Sequence, residues 1–299
     1  MSNLKTLKTR IKSVKSTQKM TKAMKMVAAS KLRKAKTAVE TSRPYADKIS
    51  ELLFELASNI SSQTQNDRRF AMLSDCNKHK TSKTHLIVIL SSDRGLCGGL
   101  NTATVKYAKN YIDRLIESGN KVKIFTVGKK ANDQLKSSYE HLILKSRFGL
   151  FKDDIKYETA LEISNELIEL FENEEFDTCD TIYSKFKSAI AQDVIKKQLI
   201  PIDTISQDGT EKLVTSPVNY EENQEKLLHD LLPKNLAIQI YNKLLENSAS
   251  EQGARMAAME SATNNAGKMI KDLTLVYNRT RQANITRELI DIVSGANTV

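Results

Sequence analysis

Apolar residues recur near the start of the chain at the three- and four-residue spacing of an α-helix. Leu4, Leu7, Ile11 and Val14 are separated by three, four and three residues, which is a heptad seam. The pattern predicts one N-terminal coiled-coil helix over residues 1–60, in which Pro44 is a candidate kink. The predicted stripe continues through Met20, Met24, Val27, Ala28, Leu32, Val39, Ile49, Leu52, Leu53 and Leu56.

A second helical pattern covers residues 227–299, where Pro233 suits a first-turn position and Gly295 a C-terminal cap. Roughly sixty helical residues extend over about 90 Å. The N-terminal helix is the natural antiparallel partner, and the far ends of both helices are expected to project beyond the residues between them. The predicted seam of this helix is weak, because small and polar residues such as Thr263 and Ala266 give it little apolar area. Its positions are Met256, Met259, Thr263, Ala266, Ile270, Leu273 and Tyr277.

The central part of the chain alternates between strand and helix patterns, which predicts an open α/β sheet of the Rossmann-like kind over residues 85–205, parallel at least in part. A polar loop over 61–84 precedes it and a linker over 206–226 follows. The fold class is therefore α/β, with a long antiparallel coiled coil added to a central sheet domain. Strands are predicted at 85–90, 121–128, 141–148, 176–186 and 194–203, and helices from near Asn101, after Gly128 and over 157–175.

The net charge of +10 comes entirely from the first helix. Residues 1–36 contain twelve Lys or Arg and no acid, whereas the rest of the chain has 34 basic and 36 acidic residues. The basic positions 5, 8, 12, 15, 19 and 22 form a cationic ridge about 100° from the apolar seam. Such a ridge fits an acidic protein groove or nucleic-acid phosphates, although few aromatics are available for base stacking. A mitochondrial presequence is disfavoured, because the helical pattern continues without a cleavage-like break.

Motifs for catalysis or cofactor binding are weak. The three cysteines, Cys76, Cys97 and Cys179, form no C-x-x-C pair, and the four histidines lack metal-ligand spacing. The loop "SSDRGLCGG" follows a strand, but a turn that packs the α/β domain against the coiled coil is favoured over a phosphate site. We predict no catalytic residue, cofactor or metal, and no apolar run long enough to span a membrane. A cofactor-binding enzyme on the central sheet stays an alternative.

Four large aliphatic side chains, Leu289, Ile290, Ile292 and Val293, lie close together within the last eleven residues. Chain ends are usually polar and solvated. An apolar tip of this kind is exposed unless a partner encloses it.

Three separated blocks resemble the γ subunit of the F-type ATP synthases: "IKSVKSTQKMTKAMKMVAASKLRKAK", "SSDRGLCGGLN" and "EQGARMAAMESATNNAGKMIKDLTLVYNRTRQANITRELIDIVSG". The resemblance implies a non-catalytic central-stalk rotor inside a ring of α and β subunits, in contact with ε and the c-ring of Fo. It implies no nucleic-acid partner and membrane association through Fo only. The expected location is the cytoplasmic face of the bacterial inner membrane, with the mitochondrial inner membrane as the lesser alternative, and a match from Asn3–Leu4 onward leaves little room for a presequence.

The resemblance also implies roles for individual residues. Met24, in "TKAMKM", corresponds to the family position that faces an acidic lever segment of β. Arg281 and Gln282, in "TRQAN", correspond to a polar catch that hydrogen-bonds β. The tip residues Leu289, Ile290, Ile292 and Val293 are expected to sit in an apolar sleeve at the top of the ring.

Overall fold

The computed structural model describes residues 4–59, 70–73, 82–151, 155–188, 191–202 and 224–296. The chain divides into two compact units. The first unit combines Met1–Ala29 with Arg255–Val299, and the second unit is Ser30–Ala254. Two long helices, α1 (Leu4–Asn59) and α5 (Gln224–Ala296), contribute residues to both units.

The second unit contains a five-stranded sheet with the strand order β3-β2-β1-β4-β5. The first four strands are parallel, and β5 is antiparallel to β4. This confirms the predicted open α/β sheet, with strand bounds close to those expected. In chain order the elements are β1 (Thr84–Leu90), α2 (Leu100–Glu117), β2 (Lys121–Val127), α3 (Lys129–Tyr139), β3 (Ile143–Arg147), α4 (Tyr157–Glu172), β4 (Thr178–Phe186) and β5 (Gln192–Ile200).

The sheet is covered on both faces, which explains why β1 is a continuous apolar run rather than an alternating one. Successive side chains of a strand point to opposite faces. Leu86 and Val88 therefore join a core with Leu167 of α4 and Leu244 of α5. Ile87 and Ile89 join a second core with residues of α2 and α3. Both faces of the central strand are thus buried by helices.

The two long helices also pack against each other within the second unit. Ile49 and Leu53 of α1 share an apolar cluster with Leu228 and Leu232 of α5. Ser42 Oγ donates a hydrogen bond to Asn242 Oδ1 at 2.5 Å, and Asn235 Nδ2 donates to Ser50 Oγ at 3.3 Å. Because the α5 partner number falls as the α1 number rises, the helices are antiparallel here, as predicted.

The predicted first-turn position of Pro233 in the C-terminal helix was wrong. Helix α5 begins at Gln224, so Pro233 lies inside the helix and not in its first turn. An interior proline costs about 3 kcal/mol, but the neighbouring Leu232 and Leu236 are each only 1% exposed, and their burial offsets that cost. Helix α1 likewise continues through Pro44. Gly295, predicted as a cap, precedes the last helical residue, Ala296.

Much of the predicted loop at 61–84 and linker at 206–226 lies outside the described residues. Within the loop, Phe70–Leu73 form a short 3₁₀ turn. Met72 is 2% exposed and joins the core of β1, and its carbonyl accepts a hydrogen bond from Ile202 N at 2.6 Å. This turn therefore packs on the sheet, which the polar composition of the segment did not indicate.

A buried lysine lies where α5 crosses β4 and β5. Lys243 is 6% exposed, and its Nζ donates to Gln239 O at 3.4 Å and Gln239 Oε1 at 3.3 Å. Burial, which strips water from the ammonium group, and the nearby charge of Lys197 together lower the pKa of Lys243 to about 7. Glu246 and the Cys179 thiol oppose this shift without cancelling it.

Gly128, between β2 and α3, is expected to tolerate no side chain. Its φ is +102°, and an added Cβ would lie 2.1 Å from the Ser91 carbonyl oxygen. We expect Gly128→Ala to lower the free energy of unfolding by more than about 3 kcal/mol. Gly119→Ala is the matched control, because Gly119 also has positive φ (+78°) but no atom within 4 Å; it is expected to cost about 1 kcal/mol. Denaturant unfolding of both variants checks this, and equal losses would contradict it.

The buried Lys243 should make stability rise with pH. Since its folded-state pKa of about 7 lies below the ordinary value of 10.5, the unfolded chain holds a proton that the folded chain lacks between these pH values. Stability is therefore lost as pH falls through this window. From pH 7 to pH 9.5, unmodified protein should gain roughly 3 kcal/mol relative to Lys243→Met. Lys234→Met, an exposed lysine on the same helix, is the control, and parallel pH curves for Lys243→Met and unmodified protein would refute the expectation.

Candidate partner-binding surface

The first unit is an antiparallel pair of helical segments, residues 4–29 of α1 and 255–296 of α5. Lys25 Nζ lies 2.6 Å from Glu260 Oε1, and Thr21 Oγ1 lies 2.7 Å from Thr263 Oγ1. Gln18 Nε2 donates to Thr263 O at 3.5 Å. These contacts define the register. Heptad steps from Thr21 and Thr263 then place Val14 opposite Ile270 and Leu7 opposite Tyr277.

The middle of this seam is polar on the α1 side, which corrects part of the predicted stripe. Met20 and Val27 are 62% and 58% exposed and do not lie on the seam. Steps of four and three from Val14 lead instead to Gln18, Thr21 and Lys25. The apolar residues in this part of α1 depart from the heptad spacing, so the predicted stripe was wrong at Met20 and Val27. The positions predicted on α5 are all buried or half-buried, as expected: Met256, Met259, Thr263, Ala266, Ile270, Leu273 and Tyr277.

Helix α5 continues past the last described residue of α1 that faces it. Since Leu7 lies opposite Tyr277, the first described residue of α1, Leu4, lies near Thr280. From Arg281 to Ser294 every side chain is exposed within this unit. The tip residues Leu289, Ile290, Ile292 and Val293 are 56%, 58%, 67% and 60% exposed. The final four turns therefore present apolar surface that nothing in the described part of the unit covers.

The residues predicted to contact a partner lie at two levels of the pair. Arg281 and Gln282 are exposed at the base of the uncovered segment, on the same helix as the tip. Met24 is half-buried on α1, beside Lys25 and therefore near Glu260 of α5. Twenty-one residues of helix separate that level from Arg281, which is about 30 Å. The structure therefore brings Arg281 and Gln282 together with the tip and leaves Met24 on its own.

The two strands of the pair differ in charge. Residues 4–29 of α1 contain eight Lys or Arg and no acid, and the ridge positions 5, 8, 12, 15, 19 and 22 are all exposed. Residues 255–296 of α5 contain six bases and four acids. One of these acids, Glu260, pairs with Lys25. One side of the pair is thus strongly cationic and the other is mixed.

In the second unit, the glycine-rich loop after β1 is tied down by its own side chains. Asn101 Nδ2 donates to Ser92 Oγ at 2.7 Å and to Cys97 Sγ at 3.1 Å. Asp93 accepts from Lys129 N, at the start of α3, at 3.1 Å. A carboxylate already occupies the electropositive end of that helix, where a phosphate would otherwise bind.

The crevice beside this loop is filled by α5. In doubly wound sheets ligands bind at the carboxyl ends of the strands, where the strand order reverses. Here Cys97 and Leu100 form a small buried cluster with Ala254 of α5, and Ser250 Oγ donates to Ser184 O of β4 at 2.7 Å. The loop therefore packs against the C-terminal helix. The Ser250 contact was not predicted, since a single small polar residue in a helix gives no sequence signal.

Two buried titratable groups of β4 and its neighbours have shifted pKa values with clear causes. Tyr111 OH donates to Asp180 Oδ2 at 2.6 Å, and burial together with this bond raises the pKa of Tyr111. Burial also raises the pKa of the Cys179 thiol, which disfavours the reactive thiolate. Among the described residues, no cluster of three or more His, Cys, Asp or Glu is arranged to hold a metal ion. None of the described helices has an apolar stretch that would cross a bilayer.

Comparison with known proteins places these features in a family. The family model described as ATP synthase matches residues 3–299. The chain is 46% identical to the ATP synthase gamma chain of Pelagibacter ubique over 100% of both chains. It is 44% identical to the ATP synthase gamma chain of Paramagnetospirillum magneticum over 99% of both. Identity at this level over the full length is far above what a shared fold alone requires.

Solved structures agree with the fold. A chain of the Tetrahymena thermophila mitochondrial ATP synthase central stalk and c-ring matches 81% of this chain and 99% of its own length, with a TM-score of 0.59 and 26% identity. A chain of the Euglena gracilis mitochondrial ATP synthase matches 99% of this chain and 94% of its own, with a TM-score of 0.67; at 21% identity it supports the fold alone. On the family model and the full-length relatives, this chain belongs to the ATP synthase gamma chain family.

Proposed function

We propose that this chain is the central rotor of an F1Fo ATP synthase, which couples proton-driven rotation of the c-ring to conformational change in the catalytic β subunits. Its partners are the α and β subunits of the F1 ring, ε, and the c-ring. The observation that carries the proposal is the exposed segment from Arg281 to the end of α5, with its four aliphatic tip residues. A helix of this kind needs an enclosing partner.

The apolar tip supports an enclosed bearing. Leu289, Ile290, Ile292 and Val293 are more than half exposed, and at about 100° per residue they form one apolar stripe roughly 160° wide. Nothing in the described part of the unit covers this stripe, so a partner is needed to keep it desolvated.

The charge asymmetry of the first unit supports a rotary mechanism. A shaft can bias a β subunit between two states only if it contacts those states unequally. The cationic α1 face and the mixed α5 face supply such unequal contacts as the shaft turns. Met24 is assigned to the contact with an acidic segment of β, and Arg281 and Gln282 to a second contact, nearer the tip.

The chain itself is proposed to be non-catalytic, with the nucleotide chemistry in its partners. The crevice that would hold a nucleotide in a doubly wound sheet contains Ser250 and Ala254 of α5. Asp93 at the start of α3 would also repel a phosphate. No cofactor or metal is assigned.

The proposed location is the cytoplasmic face of the bacterial inner membrane, where the chain is held through Fo. The full-length relatives above are bacterial gamma chains. A nucleic-acid role is disfavoured, because exposed Met20 lies between ridge positions 19 and 22 on α1, and exposed Met26 and Val27 follow the ridge directly. Apolar side chains beside the cations suit a protein groove better than a phosphate backbone.

Co-purification tests the assignment directly. An affinity tag inserted at the exposed turn at Ser118 and Gly119, between α2 and β2, leaves both helix ends free. We expect the tagged full chain, expressed in its own cell, to retain α, β and ε through washing at moderate salt. The same tag on an unrelated protein is the control. Recovery of the chain without α and β, or with salt-sensitive DNA in their place, would reject the proposal.

The catch residues are tested by replacing Arg281 and Gln282 together by Ala. Both are exposed, so the free energy of unfolding should change by less than about 0.5 kcal/mol. Loss of a charge-assisted contact to β should lower coupled ATP synthesis in assembled complexes by roughly tenfold. The matched control replaces Asn278 and Arg279, an exposed amide–arginine pair one turn earlier. Normal synthesis in the Arg281, Gln282 variant would argue against the catch.

A further inference from the structure

Strand β4 overhangs its neighbour at the carboxyl edge of the sheet. The pairing of β1 with β4 ends at Ile89 and Ile182, whereas β4 continues to Phe186. Ser184 therefore has backbone groups on the β1 side that no strand residue pairs with. It is also completely buried. A buried backbone N–H or C=O without a partner is costly, so other side chains must satisfy these groups.

All three polar groups of Ser184 are bonded, and two of them are bonded to α5. Its backbone N–H donates to Asn247 Oδ1 at 3.4 Å, and its carbonyl accepts from Ser250 Oγ at 2.7 Å. Its hydroxyl lies 3.1 Å from Thr104 Oγ1 of α2. Since Thr104 already donates its one proton to Leu100 O at 3.0 Å, Ser184 is the donor in that pair. Helix α5 thus supplies the missing ladder partners of β4.

The surface of α5 around these residues is unusually polar for a buried helix face. Asn247 and Ser250 are 1% and 0% exposed. Further buried polar residues in the same stretch are Lys243, Glu251 and Gln252. The earlier part of α5, by contrast, packs on α1 through leucines such as Leu228 and Leu232. The helix therefore buries more polar side chains where it reaches β4 than where it packs on α1.

We infer that Ser184, Asn247 and Ser250 are positioning residues that set the rotation of α5 about its own axis relative to the sheet, and that they transmit torque between the two. Hydrogen bonds are directional, whereas apolar contact is not. Turning α5 by one residue position is a rotation of about 100°, which removes both bonds and buries two unpaired backbone groups. The torque role rests on the proposed rotor function; the positioning role does not.

The test variant replaces Asn247 and Ser250 together by Ala. Two controls accompany it. Ser248→Ala lies on the opposite side of the same helix and is half-buried. Ser184→Ala removes the hydroxyl bonded to α2 but keeps the backbone groups that bond α5. If these residues were merely structural, loss of any buried hydrogen bond should affect α5 to the same extent. If they are positioning residues, only the Asn247, Ser250 variant should weaken the packing of α5 on the sheet.

The first measurement is amide hydrogen exchange on the unassembled full chain. In the Asn247, Ser250 variant we expect exchange of α5 amides near 247–254 to rise by roughly tenfold. The Ser184→Ala and Ser248→Ala variants should raise it by less than about threefold. Equal protection in all variants, or a global rise across the whole second unit, would overturn the inference.

The second measurement uses assembled complexes that are held on a surface and carry a bead tethered at the Ser118–Gly119 turn. The complexes are stalled, and the angular spread of the bead is measured. The Asn247, Ser250 variant should widen this spread by roughly twofold at an unchanged ATP hydrolysis rate. If the wild-type bead turns with ATP before the complexes are stalled, but the spread of the variant's bead after stalling is unchanged, torque transmission through these residues is refuted. If no wild-type bead turns, the rotor proposal is the part that fails, and hydrogen exchange still decides the positioning role.

Discussion

The structure depends on the packing of helix α5, which has three different environments along its length. The 73 residues of α5 pack through leucines on α1, through buried polar side chains on β4, and then reach a stretch from Arg281 onward that is exposed in its unit. Long isolated helices gain little stability from propensity alone in water. The packed stretches therefore keep α5 helical, and the exposed stretch stays available for a partner.

Periodicity was sufficient to predict the sheet and the long helices, because both faces of each strand and one face of each helix are buried. It failed where spacing and residue type disagree. Gln18 and Thr21 occupy the seam although they are polar, whereas Met20 is exposed although it is apolar. Pro233 was misplaced because local propensity ignores the buried leucines around it. A heptad count carried strictly through Val14 would have found the polar seam positions.

The residues proposed to bind a partner were harder to predict from the pattern of the sequence. Arg281 and Gln282 look like any exposed helix surface, and only the resemblance to a family singled them out. The role proposed for Ser184 could not have been predicted from the sequence, since it depends on β4 extending a few residues beyond its pairing with β1. That overhang is a property of the paired sheet and is absent from any local window of sequence.

The choice of polar residues at the junction of α5 and β4 follows from what the junction has to do. An apolar contact would hold the helix against the sheet at a lower desolvation cost, because a buried polar group is destabilising unless it is hydrogen-bonded. Leu236 and Leu244 already supply that adhesion in the neighbouring core. These apolar contacts do not fix the rotation of the helix about its own axis. Asn247 and Ser250 fix it, because they hydrogen-bond the backbone N–H and carbonyl of Ser184. Specificity of arrangement is the use for which buried polar groups are best attested. In the proposed rotor α5 would carry torque, and there the arrangement of the helix matters more than the strength of its contacts.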